Sequence, residues 1–171
     1  MTWFRRARGD DARPPSAPDA PPGATTALDP DDSPAALRTA LLRNIRSINA
    51  SSGRLPNAAV VSARRVTDTI REIIDTSEVR PLDVYAVISV RATLEDYLPT
   101  TLRNYLAVDE ALLETPRASG RTPRQSLLEQ IAALQSSASA VLEAAQNSDV
   151  DALMTQGNFL RTKFSGSDLD L

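Results

Sequence analysis

The sequence predicts an all-α fold: an antiparallel helical bundle, or long helical hairpin, of four to five helices behind a disordered N-terminal arm. Three observations predict it. Apolar residues recur every three or four positions along most of residues 33–165. Hydrophobic residues make up 42 % of the 171-residue chain but aromatics only 4 %, so the apolar mass is Ala, Leu, Val and Ile, common material of bundles. Proline, glycine and short polar clusters then interrupt the periodic stretches at intervals suited to helix ends.

Residues 1–32 form the arm. The stretch RPPSAPDAPPGATTALDPDD holds almost no large apolar residue. Such a segment cannot bury enough surface to offset its ordering entropy, and its prolines favour extended polyproline character. The helical domain spans 33–165, and 166–171 (GSDLDL) reads as a frayed acidic tail. Ser33 followed by Pro34 opens the first helix, a hydroxyl cap with proline at the first helical position. Leu37, Leu41, Ile45 and Ile48 share its face, and Gly53 stops it. Pro56 begins the second, whose face is Val60, Ala63, Val66, Ile70, Ile73 and Ile74. A third starts near Pro81 or Leu82, with Val84, Val87, Ile88, Arg91, Leu94 and Leu98 in one stripe.

The stretch LEDYLPTTLRNYLAV, residues 94–108, keeps that spacing although Pro99 stands at its centre. Proline removes a backbone donor and clashes with the carbonyl four residues back. The unbroken stripe predicts one long helix kinked near Tyr97, or two nearly collinear ones, reaching Leu112. Tyr97 and Tyr105 are eight residues apart and are expected near one face. After the loop at 114–124, a helix over 123–147 carries Leu127, Ile131, Leu134, Ala138, Val141 and Ala145, the alternating spacing of a coiled-coil seam. At about 37 Å it can lie antiparallel along the third helix. Ser148 or Asp149 caps a final short helix with Val150, Leu153, Leu160 and Phe164.

Composition excludes whole classes of chemistry. The chain has no cysteine and no histidine. Disulfides, thiolate nucleophiles, Cys/His zinc sites, Ser-His-Asp triads and histidine acid–base catalysis are therefore ruled out. The net charge of −3 gives no general pull toward nucleic acid, and none is expected as a partner. Of 19 basic residues only Lys163 is lysine, a bias that reads as base composition before binding. The longest nearly apolar run, VYAVISV at 84–90, is far short of the roughly 20 residues that span a bilayer. The first residues lack the apolar core of a signal peptide, so a cytoplasmic location is expected.

The block Tyr97, Leu98, Pro99, Thr100, Thr101, Leu102 and Tyr105, with the helical stretch that follows it, resembles the signature of the 5-bromo-4-chloroindolyl phosphate hydrolysis (XpaC-like) family. The resemblance covers roughly residues 56–165. It implies a role in phosphate-ester hydrolysis and an association with helical toxic-anion (tellurite) resistance proteins or envelope stress. It supplies no catalytic set.

Phosphoryl chemistry needs carboxylates to hold a metal and cations to meet developing charge. The available candidates are Glu95, Asp96, Arg91 and Arg103. Glu95 and Asp96 are adjacent, so their side chains diverge by about 100° on a helix and do not form a dyad. No glycine-rich phosphate loop is present, and no metal or cofactor is expected. A solvated helix face with ordinary ion pairs accounts for the same residues. Arg64, Arg65, Arg117, Arg121 and Arg124 could meet phosphate but also read as surface residues. Trp3 and Phe4, followed by Arg5, Arg6 and Arg8, are out of place on a polar arm. Either they fold back on the bundle, or they dock on a partner groove or weakly on an anionic membrane surface. The leading expectation is a helical interaction or scaffold protein that binds another helical protein or a second copy. A phosphate-ester hydrolase and a peripheral membrane protein are the alternatives.

Overall fold

Several of the helices begin where a proline or a side chain can replace missing backbone partners. The computed structural model describes residues 32–147 and 150–165. The expected arm up to Asp31, the cap at Ser148 or Asp149 and the expected tail from 166 lie outside the described residues. The described elements are α1 (Pro34–Ser51), α2 (Asn57–Thr76), α3 (Val84–Ala92), a π-helical turn (Thr93–Tyr97), α4 (Leu98–Leu106), a 3-10 turn (Glu110–Leu112), α5 (Pro123–Asn147) and α6 (Val150–Phe164). The fold is all-α, as expected, with no strand among the described residues.

Ser33 caps α1 by accepting from the Ala36 N–H at 3.1 Å, with Pro34 directly behind it. The helix gives way to a turn after Ser51, two residues before Gly53. α3 starts at Val84 rather than near Pro81, because the Asp83 carboxylate accepts from the Tyr85 N–H at 2.8 Å and fixes the cap there. α4 ends at Leu106 and does not run on to Leu112. Asp109 accepts from the Ala111 N–H and restarts the chain as a single 3-10 turn. α5 opens on a capping box: Thr122 accepts from the Gln125 N–H at 3.2 Å, and the Gln125 side chain accepts from the Thr122 N–H at 2.9 Å.

Side-chain bridges give the directions. Arg38 pairs with Asp75 and Glu78 near the far end of α2, while Arg64 near its start donates to Asn49, so α1 and α2 are antiparallel. Gln135 donates to Thr69 and Arg80 to the Gln146 carbonyl; both pairs are 66 residues apart, so α2 and α5 run parallel. Thr101 donates to Gln130, and Tyr105 one turn later has Arg124 as its charged neighbour, which sets α4 antiparallel to α5. With α3 and α4 forming one continuous run, successive helical runs therefore alternate up and down. The most extensive packing joins α2 to α5. Leu127, Ile131 and Leu134 are fully buried, together with Ile70, Ile73 and Ile74 of α2. The coiled-coil-like seam is thus consumed inside the chain. Toward its end the seam moves from Ala145, half-buried, to Ala144, buried.

The region around Pro99 is one long helical run, as expected, and its irregularity near Tyr97 is a π-helical turn over Thr93–Tyr97. The helical run is continuous, and the turn before the proline widens: the Leu98 N–H donates to the Thr93 carbonyl, five residues back. In that register the Leu94 carbonyl faces residue 99, which as proline has no N–H. Asn44 of α1, itself buried, fills the position by donating its side-chain amide to Leu94 at 2.7 Å. The widened turn also adds one residue to the helix, and this corrects the stripe expected upstream. From Leu98 onward the buried positions hold (Leu98, Leu102, Tyr105). Before the turn they shift by one, so Ala86, Val87, Val90 and Thr93 face inward, while Val84 and Ile88 are 46 % and 40 % exposed.

Candidate functional site

The outward rotation of α3 leaves a groove where it meets α6. The two helices run parallel here, with Gly157 beside Ser89 and Phe164 stacked on Tyr97 at a ring-centroid separation of 5.0 Å. The groove holds about 180 Å³. Tyr85, Ile88, Ala92, Met154 and Leu160 give it apolar walls, and Tyr97, Asn158 and Arg161 stand at its polar margin. Gly157 keeps it open on the α6 side. A Cβ there would meet only the Ser89 hydroxyl, at 3.6 Å. That hydroxyl is buried and has no hydrogen-bond partner. An unpartnered buried polar group is costly, by about 1–3 kcal/mol, which makes the groove floor receptive to one donor.

Burial raises the pKa of the Tyr97 hydroxyl above its ordinary 10.0. The Asp96 carboxylate adds to the rise and the Arg161 guanidinium opposes it. The hydroxyl is therefore a neutral donor at physiological pH. Burial also raises Tyr105, with Arg124 lowering it and Glu114 raising it. Tyr105 does not share Tyr97's surroundings. Eight residues amount to two turns and about 80°, which is enough to send the two rings to different neighbours. Tyr105 lines a separate, larger and more polar hollow of about 270 Å³ with Gly53, Arg54 and Glu110. Its lining cation, Arg54, donates to the Leu106 carbonyl at 2.7 Å and so closes the end of α4.

The predicted catalytic candidates do not converge. Glu95 and Asp96 are both exposed on the π-helical turn. Asp96 accepts from Thr100 at 3.1 Å, and Arg103 donates to the same Thr100 hydroxyl at 2.9 Å, a chain along the outer face of α4. Arg91 is drawn to Asp32 at 2.8 Å. Among the described residues no group of acidic side chains is placed to hold a metal ion. Leu98, Leu102 and Thr101 of the signature block are buried, Pro99 half-buried, so most of the block packs the bundle. The possible phosphate-binding arginines are partly engaged: Arg121 pairs with Glu129, Arg124 with Glu114, and Arg64 bonds Asn49. Trp3, Phe4, Arg5, Arg6 and Arg8 lie outside the described residues. The sequence reading missed Ser89, Met154 and Gly157. A glycine inside the last helix was the available signal, since it costs about 1 kcal/mol against alanine and calls for a reason.

Comparison with protein-family models, with curated proteins and with solved structures finds no match to this chain. No helix among the described residues is long and apolar enough to cross a membrane.

Proposed function

We propose that this chain is a helical interaction module whose α3–α6 groove takes an apolar side chain from a polypeptide segment. The observation that carries the reading is the pairing of apolar walls with exposed Ile88 and Met154 at the rim, over a floor that holds one unpartnered hydroxyl. The volume is below the roughly 300–1,000 Å³ of drug-sized pockets and suits a single side-chain anchor. The seam of α5 does not support partner binding, because its apolar residues are buried against α2. A helical partner, of the toxic-anion resistance type implied by the resemblance or a second copy, is the chemistry that the groove would read as an anchor on one helix face.

The test is association of the purified full chain with such a helical protein, and with itself, measured by calorimetry and light scattering. Ile88→Asp and Met154→Asp should abolish association while circular dichroism stays unchanged. Association that survives both substitutions refutes the groove as its seat. The hydrolase alternative rests on the resemblance. It predicts turnover of 5-bromo-4-chloroindolyl phosphate by the chain, dependent on Asp96 and Glu95 with or without a divalent metal. No turnover of the purified chain under any metal would dismiss it.

A further inference from the structure

We infer that the groove's resident occupant is the chain's own N-terminal segment, with the Trp3 indole seated between α3 and α6. The inference rests on reading the groove as a side-chain binding site and names what fills it.

Three observations lead there. The first is where the arm joins the fold. Asp32 lies 2.8 Å from Arg91 and its side chain is only 13 % exposed, so the chain enters the bundle against α3. Arg91 is one helical turn from Ile88, a wall of the groove. The second is length. Trp3 and Asp32 are 29 positions apart. A chain of that length reaches about 30 Å as a random coil and up to about 90 Å as a polyproline helix, in either case several times the distance from one turn of α3 to the next. Such a tether supplies an effective concentration in the millimolar range, so an anchor too weak to bind in trans is held in cis.

The third is chemistry. The groove asks for an apolar ring with a single hydrogen-bond donor, because its walls are apolar and Ser89 Oγ at the floor has no partner. Indole is that group: a large apolar ring whose N–H only donates. Trp3 is the only tryptophan in the chain, and Phe4 beside it would leave the hydroxyl unsatisfied. The docked arm covers Ile88 and Met154, the residues a partner would use. A partner therefore competes with Trp3, and the arm sets the threshold for association.

Because Trp3 is the sole indole, intrinsic fluorescence of the full chain reports on it directly. The expected result is blue-shifted emission and protection from acrylamide, both independent of protein concentration. Ile88→Asp and Gly157→Leu should each return emission and quenching to those of free indole, with helicity unchanged. Ile88 is 40 % exposed, and a Cβ at 157 makes only an ordinary 3.6 Å contact with the Ser89 hydroxyl, so both substitutions are made at the groove and not in the core. A full-length Trp3→Ala variant should bind a labelled peptide of residues 1–12 that the parent chain excludes. Exposed Trp3 in the parent overturns the inference. So does protection that survives both groove variants, or that falls on dilution, which would make the occupant another copy's arm. If Trp3 is exposed but Ile88→Asp still removes association, only the occupant is wrong and the groove reading stands. If neither responds, both fall.

Discussion

Asn44→Ala should be the most informative single perturbation of this fold, because its effect depends on a proline 55 positions away. The Asn44 side-chain amide donates to the Leu94 carbonyl at 2.7 Å and to the Ala40 carbonyl at 3.0 Å, in a buried position. The Leu94 carbonyl needs that donor for a specific reason. The Leu98 N–H is committed to Thr93, and residue 99 has no N–H to give. Removing Asn44 strands a buried carbonyl, at a cost of about 1–3 kcal/mol. Asn44→Leu should cost nearly as much although it preserves volume, since the lost quantity is a donor and not packing. The companion change is Pro99→Ala. It restores a backbone N–H and lets the turn relax to the α register, in which Leu98 can donate to Leu94. Asn44→Ala should then be nearly neutral when combined with Pro99→Ala. Urea unfolding followed by circular dichroism, with slopes m compared across the four proteins, measures the cycle. The expected coupling is about 1–2 kcal/mol, well above the roughly 0.3–0.5 kcal/mol scatter of independent sites. Equal losses with and without the Pro99→Ala change would show that Asn44 acts by packing alone, and the account of the π-helical turn would fail.

Leu134→Ala should destabilise by about 2–5 kcal/mol, and Leu134→Asp should abolish the cooperative transition, because this side chain is fully buried between α5 and its neighbours. A folded Leu134→Asp chain that loses only association would instead make the seam an interface. Thr122→Ala removes the cap hydroxyl of α5 and should cost about 1 kcal/mol by urea titration, while Thr122→Ser should recover most of it. Tyr97 and Tyr105 both have pKa values raised above 10.0 in the folded chain, so their protonated forms are favoured there. Their contribution is fully present below about pH 10 and is lost as pH rises through the raised folded values, since the unfolded state releases its protons first. Melting temperatures between pH 8 and 11 should fall less steeply in Tyr105→Phe and Tyr97→Phe than in the parent. Gly157→Ala should raise stability by about 0.8–1 kcal/mol, because glycine is the poorer helix former and a Cβ there makes only an ordinary 3.6 Å contact with Ser89.

The caps and stripes were legible because they are local. Ser33-Pro34 opened α1 as read, α5 spans 123–147 as read, and the α2 and α5 stripes were buried as read except at Val60 and Ala145, which are half-buried. The capping box at Thr122 and Gln125 was also written in the sequence as a Thr three positions before a Gln. What stayed hidden was the turn at Thr93–Tyr97. A one-residue insertion into a helix leaves no periodic mark, because the stripes on both sides are individually regular. Its cause lies partly elsewhere, in the Asn44 amide of α1, which no local pattern around Pro99 predicts. The candidate site was hidden for the same reason. Ile88 belongs to the apolar stripe by spacing, and only the widened turn carries it to the surface.

That link connects the proline to the proposed function. Without the extra residue, α3 would be rotated by about 100°, one residue's worth, and Val84 and Ile88 would turn toward the bundle. The groove against α6 would then lose a wall. Pro99 favours the widened turn, Asn44 completes its hydrogen bonding, and the resulting register exposes Ile88 beside Met154. Two further positions keep the groove open at a cost in stability. Gly157 stands mid-helix where alanine fits, and Ser89 presents a buried hydroxyl with no partner. A chain selected for stability alone would close both, and each is a small change. Three departures from the best local choice thus meet in one place, and π-helical turns recur at functional sites. A binding role accounts for all three together. If Gly157→Ala and Ser89→Ala each stabilise the chain while weakening protection of Trp3, then the stability given up at these positions is what keeps the groove available to its occupant.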